Sequence, residues 1–301
     1  MSRLPMFYKS LAPLIVVGVV AMSGCTESFT CWGRAKSDVD VTIPSGAAGP
    51  EAGDGGETAA VAGYGNLSGR VTLTGTTPGL SSPAAGKVKP ADADVCVVDK
   101  IPNERLVVND GGIANVFIYL QKAPNGTKAP EGVEPAAVVM DHQSCTFVPH
   151  ALVVQAGNPI RVLNADPLVH NVHTKPTRNG SFNSGIGASD RNGIELLYKN
   201  GERTPVEVVC DYHAWMKAYH LPLDHPYGAV TDAQGNFSIQ GLPAGKHKFT
   251  VWHEGNTIGT ADVEITPDGD ATLNLAYSAG DLKVTQTEPA AMKTIVLASG
   301  L

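Results

Sequence analysis

The sequence predicts an all-β protein, and three observations support that class. Its 301 residues include 33 glycines and 21 prolines, which interrupt long helices. Short runs rich in Val, Ile and Thr alternate apolar with polar residues, and apolar residues at helical spacing are almost absent. The length allows about two domains.

The net charge of −7 gives no reason to expect nucleic acid as a partner.

The N-terminus has the features of an export signal. Arg3 and Lys9 give it a basic start, and residues 11–22 form an apolar segment too short to span a membrane as a mature helix. The following Met-Ser-Gly-Cys resembles a bacterial lipobox, which implies a signal peptide over residues 1–25 and a lipid on Cys25. An ordinary cleaved signal peptide is the alternative. Lipidation would anchor the protein at the periplasmic or cell-surface face of a bacterial membrane.

Residues 26–65 are rich in Gly, Ala, Ser, Asp and Glu and contain little that could form a core. We expect a flexible linker there. Cys31 lies in this linker and has no assigned role.

Strand-like alternation begins after the linker and returns near the C-terminus. Residues 66–74, 112–120 and 228–239 alternate as strands, and the Asp-Ala-Gln-Gly sequence at 232–235 predicts a hairpin turn. The string VTDAQGNFSIQGLPAGKHKFTVWHE, with GRVTLTG and GGIANVFIYL upstream, resembles the carboxypeptidase-regulatory-like (transthyretin-like) β-sandwich.

That resemblance implies one sandwich split into residues 66–122 and 226–277, with a second domain inserted at residues 123–225. Residues 66–120 alone contain too few strands for an independent sandwich, and insertion is tolerated where entry and exit points lie close together. Consecutive domains are the alternative. Residues 278–301 are interpreted as a tail.

A Cys-x2-His-x2-Met motif over residues 210–216 brings three metal-binding groups into one short loop. A thiolate and a thioether combined with imidazole suit copper. A fourth ligand must come from elsewhere, and the upstream His-Asn-Val-His sequence offers His170 or His173. Side chains alternate along a strand, so these two histidines point to opposite faces and only one can reach the ion. The spacing leaves open which of the two is the ligand; the other would lie at the surface or beside the ligands.

The two motifs, with Phe147-x-Pro149, Val153-x3-Gly157 and Asn164-x-Asp166, resemble an amicyanin/plastocyanin-like blue copper domain (cupredoxin) over about residues 138–224. The resemblance implies a Greek-key β-sandwich that holds one type 1 copper ion. The ligands would be His170, Cys210, His213 and Met216, with Asn171 and Asp211 around them. A carboxylate at Asp211 near the copper-bound sulfur would lower the redox potential. The resemblance also implies that electrons leave through His213, because this loop usually reaches the surface in the family.

Cys96 and Cys145 are the remaining cysteines in folded sequence. An exported protein meets an oxidising environment, so we expect a disulfide between them, with two buried thiols as the alternative. Four histidines are scattered along the chain, and we expect them to be solvent-exposed; they are His142, His150, His220 and His247.

The function that these observations favour is an exported, membrane-tethered electron carrier that is not an enzyme and that serves a redox protein partner in the cell envelope. One alternative is a copper enzyme or small-molecule binder whose copper site is open because Met216 does not bind. The other is a cell-envelope binding module with structural copper or none. No nucleophile elbow or phosphate-binding loop is present in the sequence.

Overall fold

The structure is a computed structural model that describes residues 61–127 and 138–284. Some of the sequence predictions fall outside the described residues, namely the signal peptide with Cys25, almost all of the linker over residues 26–65, and most of the tail over residues 278–301. Within the described residues, no helix is long and apolar enough to cross a membrane.

The described residues form β-strands and two single-turn 3₁₀ helices, Pro90–Asp92 and Val98–Lys100, which confirms the all-β prediction. The strands in chain order are β1 (Tyr64–Thr74), β2 (Val108–Asn109), β3 (Gly112–Ile113), β4 (Phe117–Leu120), β5 (Val138–Gln143), β6 (Thr146–Val148), β7 (Ala151–Gln155), β8 (Pro159–Asn164), β9 (His170–Lys175), β10 (Asn183–Ile186), β11 (Ile194–Leu197), β12 (Val206–Val209), β13 (Lys217–Leu223), β14 (Gly228–Val230), β15 (Asn236–Pro243), β16 (Gly245–His253), β17 (Asn256–Ile265) and β18 (Asp270–Ser278).

The first and last strands build one sandwich, called here the outer sandwich (β1–β4 and β14–β18). One of its sheets has the order β15-β1-β3-β2, with β18 also paired to β1, and the other has the order β14-β4-β16-β17. Leu67, Ile118 and Val251 are among the residues fully buried between these sheets. Their removal from water stabilises the outer sandwich through the hydrophobic effect.

Strand β1 joins the two ends of the described chain. It pairs antiparallel with β15 and parallel with β18. This sheet is therefore built from residues that precede β5–β13 in the chain and residues that follow them. The core extends past residue 277, because Leu282 and Val284 are buried against it. The domain boundaries at residues 122 and 226, and the relation to the transthyretin-like family, stay predictions.

Strands β5–β13 build a second sandwich, called here the central sandwich. Its sheets have the orders β11-β8-β5-β6 and β10-β9-β12-β13-β7. Alternation forms its core, as in β12, where Val206 and Val208 are buried and Glu207 between them is partly exposed.

The two sandwiches share an apolar cluster. Its buried members are Phe117, Tyr119 and Trp252 from the outer sandwich and Ala151, Tyr219, Leu221 and Leu223 from the central one. The ring centroids of Tyr219 and Trp252 are 4.8 Å apart in an edge-to-face arrangement, which stabilises such pairs. The sandwiches therefore pack against each other through buried apolar side chains.

The predicted turn at residues 232–235 forms, but the hairpin prediction is wrong. Oδ1 of Asp232 accepts hydrogen bonds from the backbone N–H groups of Gln234 and Asn236, at 2.9 and 2.8 Å. The flanking strands enter different sheets, since β14 pairs with β4 and β15 pairs with β1. The aspartate side chain satisfies the turn's own backbone, so the turn can form without a continuous ladder between the strands beside it.

The long connection between β1 and β2, residues 75–107, is called here the strap. It leaves the outer sandwich but packs on the central one, where Ala84, Cys96 and Ile101 are part of the core. A disulfide joins Cys96 to Cys145 in the loop between β5 and β6. The strap thereby covers one end of the central sandwich.

The prediction that the other histidines are exposed is wrong for three of the four. His142, His150 and His220 are buried, and only His247 is partly exposed. Burial lowers the pKa of His142 to about 4 and that of His220 to about 3, because a charged imidazole loses its hydration. The alternation of β5 and β13, which carry His142 and His220, turns these side chains inward.

Candidate metal centre

Three of the four predicted ligands meet at one end of the central sandwich. Sγ of Cys210 lies 3.8 Å from Nδ1 of His170 and 3.7 Å from Nδ1 of His213. The two Nδ1 atoms are 3.0 Å apart. All three side chains are buried.

These distances fit a single metal ion. Nitrogen and sulfur ligands bind a first-row ion such as zinc at about 2.0 and 2.3 Å. In a trigonal plane, such bond lengths separate nitrogen from sulfur by about 3.7 Å and nitrogen from nitrogen by about 3.5 Å. The sulfur of Cys210 and Nδ1 of His213 lie at the expected distance from each other. The two Nδ1 atoms, of His170 and His213, are closer to each other than a bound ion would hold them. A His2Cys set of this kind is the trigonal set of electron-transfer copper sites.

The turn before β9 presents His170 to this centre. Asn164, at the end of β8, donates from Nδ2 to the carbonyls of Leu168 and Gly187, at 2.7 Å each. Asp166 then accepts from the His170 ring, with 3.0 Å between Oδ2 and Nε2. Because Nε2 is held on the outside, Nδ1 is the nitrogen that faces the centre.

The register between β9 and β12 brings the metal loop, residues 210–216, beside His170. Val209 lies opposite His173, and just beyond it the backbone N–H of Asp211 donates to Oδ1 of Asn171 at 2.7 Å. Nδ2 of Asn171 donates back to the Asp211 carboxylate at 2.8 Å. This reciprocal pair holds Cys210 next to β9.

Met216 is buried and closes the metal loop through its backbone. Its N–H donates to the carbonyl of His213 at 2.9 Å, and its carbonyl accepts from the N–H of Cys210 at 3.3 Å. The loop therefore returns on itself over seven residues and places Met216 in the same core cluster as Cys210.

His173 lies outside the centre, as the alternation of β9 requires. Its side chain is 31% exposed, and its Nδ1 lies 3.1 Å from Oδ1 of Asp211. The contact with His173 holds the pKa of the exposed Asp211 carboxyl below its usual range. This carboxylate also accepts from Asn171 and Asn183, so it is engaged by the neighbouring strands β9 and β10.

The electrostatics of the centre favour a thiolate. Burial alone would raise the pKa of Cys210, but its contacts with His170 and His213 outweigh burial and lower it to about 6. Burial would lower the pKa of His170, yet Asp166 and the Cys210 sulfur raise it to about 8. The thiolate is the form of cysteine that binds metals.

The metal loop reaches the surface as expected, since Asp211, Tyr212 and Ala214 are exposed, but the His213 side chain itself is buried within it. That side chain is only 4% exposed, and Oδ2 of Asp92 in the strap lies 3.4 Å from its Nε2. The disulfide from Cys96 holds the strap at this position. Nε1 of Trp215 in the metal loop donates to the carbonyl of Cys145 at 3.0 Å.

Two residues of the site were not expected from the sequence, namely Asp92 and His142. Asp92 approaches from the strap, far from either metal motif. The ring of His142 stacks on that of His170, with centroids 5.0 Å apart and planes 9° apart. Its Nδ1 lies 2.7 Å from the Leu163 carbonyl oxygen. The alternation of β5 around Met140 could have placed His142 inside, but only the sheet order places it beside His170.

No protein-family model and no curated protein matches the sequence. Several solved structures resemble parts of the chain. A copper-containing nitrite reductase from Thermus scotoductus SA-01 is 17% identical over 33% of this chain and 24% of its own length, with a TM-score of 0.26. This chain thus covers about a quarter of that enzyme.

A purple cupredoxin from Nitrosopumilus maritimus is 15% identical over 28% of this chain and 98% of its own, with a TM-score of 0.24. A reduced amicyanin variant is 17% identical over 35% of this chain and 97% of its own, with a TM-score of 0.26. Because these TM-scores are below 0.5, the metal assignment rests on the side chains of this protein.

Proposed function

We propose that this protein is an exported, lipid-anchored electron carrier whose central sandwich holds one type 1 copper ion. The observation that carries the proposal is the convergence of Cys210 Sγ with Nδ1 of His170 and of His213 in a buried pocket. Met216 follows in the same closed loop and would be the fourth ligand. This combination suits copper that alternates between two oxidation states.

The protein's contribution is a fixed set of donor atoms. When bound, copper supplies a one-electron couple. Asp166 holds the ring of His170, and Asn171 ties the backbone of the metal loop to β9. Ligands held in this way need not rearrange between oxidation states, so little reorganisation opposes electron transfer.

The test is the optical spectrum of the copper-loaded protein. Copper(II) should give an intense thiolate-to-copper absorption band. Cys210→Ser should abolish the band and leave the circular dichroism unchanged, because strand burial and not the ion builds the core. Cys31→Ser is the matched control and should keep the band. A Cys210→Ser protein that remained intensely coloured would exclude this cysteine as the ligand.

The membrane anchor is the second part of the proposal and is supported by the sequence around Cys25. Membrane fractions of an expressing bacterium should contain the protein, and Cys25→Ala should release it or leave it unprocessed. Mass spectrometry of the mature N-terminus distinguishes a lipidated cysteine from an ordinary cleaved signal peptide. The redox partner would then be another protein of the cell envelope.

An open copper site is a second candidate function, and one cavity favours it. A cavity of about 250 Å³ lies beside the metal loop and is lined in part by Ala214, Trp215 and Met216. If Met216 does not bind copper, a small molecule could enter the coordination sphere from this side. Titration with azide tests this, because an open site changes its spectrum saturably and a closed site does not.

A further inference from the structure

The strap places a carboxylate on one of the candidate copper ligands. Asp92 ends the first 3₁₀ helix, and its Oδ2 lies 3.4 Å from Nε2 of His213. Their side chains are 19% and 4% exposed, so solvent screens the contact weakly. Nδ1 on the other side of the same ring faces Cys210 and His170. The His213 ring is therefore held between the strap and the donor set.

The turn that carries Asp92 is anchored to the central sandwich. The backbone N–H of Cys96 donates to the carbonyl of Asp92 at 2.8 Å, and Cys96 is joined by a disulfide to Cys145. This single turn therefore carries both the carboxylate and the covalent anchor.

The anchor leads back to the second histidine. The backbone N–H of Cys145 donates to Oδ2 of Asp166 at 2.8 Å, and the same oxygen lies 3.0 Å from Nε2 of His170. The strap thus contacts His213 directly through Asp92. It is connected to His170 indirectly, through Cys145 and then Asp166. Each candidate ligand histidine has a carboxylate near Nε2 and presents Nδ1 to the centre.

We propose that Asp92 is a positioning residue of the metal centre and that the strap is a cap that completes this centre from outside the central sandwich. The inference rests on the copper function proposed above. The Asp92 carboxylate favours the His213 tautomer with its proton on Nε2, which leaves Nδ1 free to bind metal. Its negative charge also stabilises copper(II) more than copper(I), because copper(II) is the more positive ion.

The test compares two strap variants that remove the same charge. Asp92→Asn should weaken copper(II) binding about 10- to 100-fold and copper(I) binding less. Each tenfold decrease in copper(II) affinity relative to copper(I) affinity raises the midpoint potential by 59 mV for a one-electron couple. Asp94→Asn is the matched control, because Asp94 is exposed on the same strap. The midpoint potential of this variant should stay near that of the wild type. Equal potentials for Asp92→Asn and Asp94→Asn would overturn the proposal.

A second measurement uses the metal-free protein, so it does not depend on the copper function. Nitrogen NMR of the His213 ring should show the Nε2-protonated tautomer in the wild type and in Asp94→Ala, and a changed tautomer population in Asp92→Ala. An unchanged tautomer in Asp92→Ala would overturn the positioning role. If the wild type gave this NMR result but bound no copper, the copper function would fail while the contact between Asp92 and His213 stood.

Discussion

His170 and His173 lie three residues apart on β9 and have different environments. His170 is fully buried, its Nε2 is held by Asp166, and its Nδ1 faces Cys210. His173 is partly exposed and contacts the carboxylate of Asp211. Strand alternation alone separates the two, because an odd spacing sends side chains to opposite faces.

Substitution of each histidine tests this assignment. His170→Ala removes a donor atom and should reduce copper affinity by more than about 100-fold, beyond the usual effect of an outer partner. His173→Ala removes only a contact to Asp211 and should cost less than about tenfold. Competitive titration with a copper chelator measures both. A larger loss for His173→Ala would show that the wrong histidine had been chosen.

At the scale of elements, the strap determines how the metal centre meets its surroundings. It is fastened by a disulfide that closes a separation of 49 residues. On the chain-entropy account, a cross-link of this length stabilises a protein by about 4 kcal/mol. The strap also buries Ala84 and Ile101 against the central core.

Loss of the disulfide should open the cap and leave the sheets in place. The double variant Cys96→Ser/Cys145→Ser should lose up to about 4 kcal/mol of unfolding free energy. It should also make His213 reactive towards a histidine-modifying reagent in the metal-free protein, because the side chain is shielded in the intact strap. Mass spectrometry of the modified peptides gives the result. Unchanged protection of His213 would show that strap packing holds the cap without the disulfide.

At the scale of the whole molecule, the outer sandwich depends on the C-terminal strands. β1 pairs with both β15 and β18, so a chain that ends at residue 225 lacks both partners. Amide exchange should then become fast over β1, and its unpaired edges should promote aggregation. Continued protection of β1 in this truncated chain would show that the N-terminal strands fold without the C-terminal ones.

The contact between the sandwiches also contains a buried ion cluster. Nε2 of His150, in the central sandwich, lies 2.6 Å from Oε1 of Glu254 at the β16–β17 turn, and Nδ1 lies 3.2 Å from Oε2 of Glu104 in the strap. Nδ1 of His150 makes no hydrogen bond, so its contact with Glu104 is an ion pair only. Burial would lower the pKa of His150, but the two carboxylates outweigh it and raise the pKa to about 10. The neighbouring His253 is buried, and burial lowers its pKa to about 4.

This cluster predicts a loss of stability at alkaline pH. The folded pKa of His150 lies above its value of about 6.5 in the unfolded chain. Its stabilising effect is therefore complete below about pH 6.5 and is lost as the pH rises through about 10. Urea unfolding across this range should show a decrease in the wild type of up to about 5 kcal/mol and a flatter profile in His150→Gln. An equal dependence of unfolding free energy on pH in the two proteins would show that His150 is not the group responsible.

Local spacing in the sequence determined the parts of this protein that depend on near neighbours. Period-two alternation indicated the all-β class and separated His170 from His173, and the Cys-x2-His spacing brought Cys210 and His213 together in one short loop. Tertiary structure alone decided the approach of Asp92, the burial of His213 and the different sheets entered by β14 and β15. These features arise from contacts between distant segments, and such contacts leave no periodic pattern in the residues that make them.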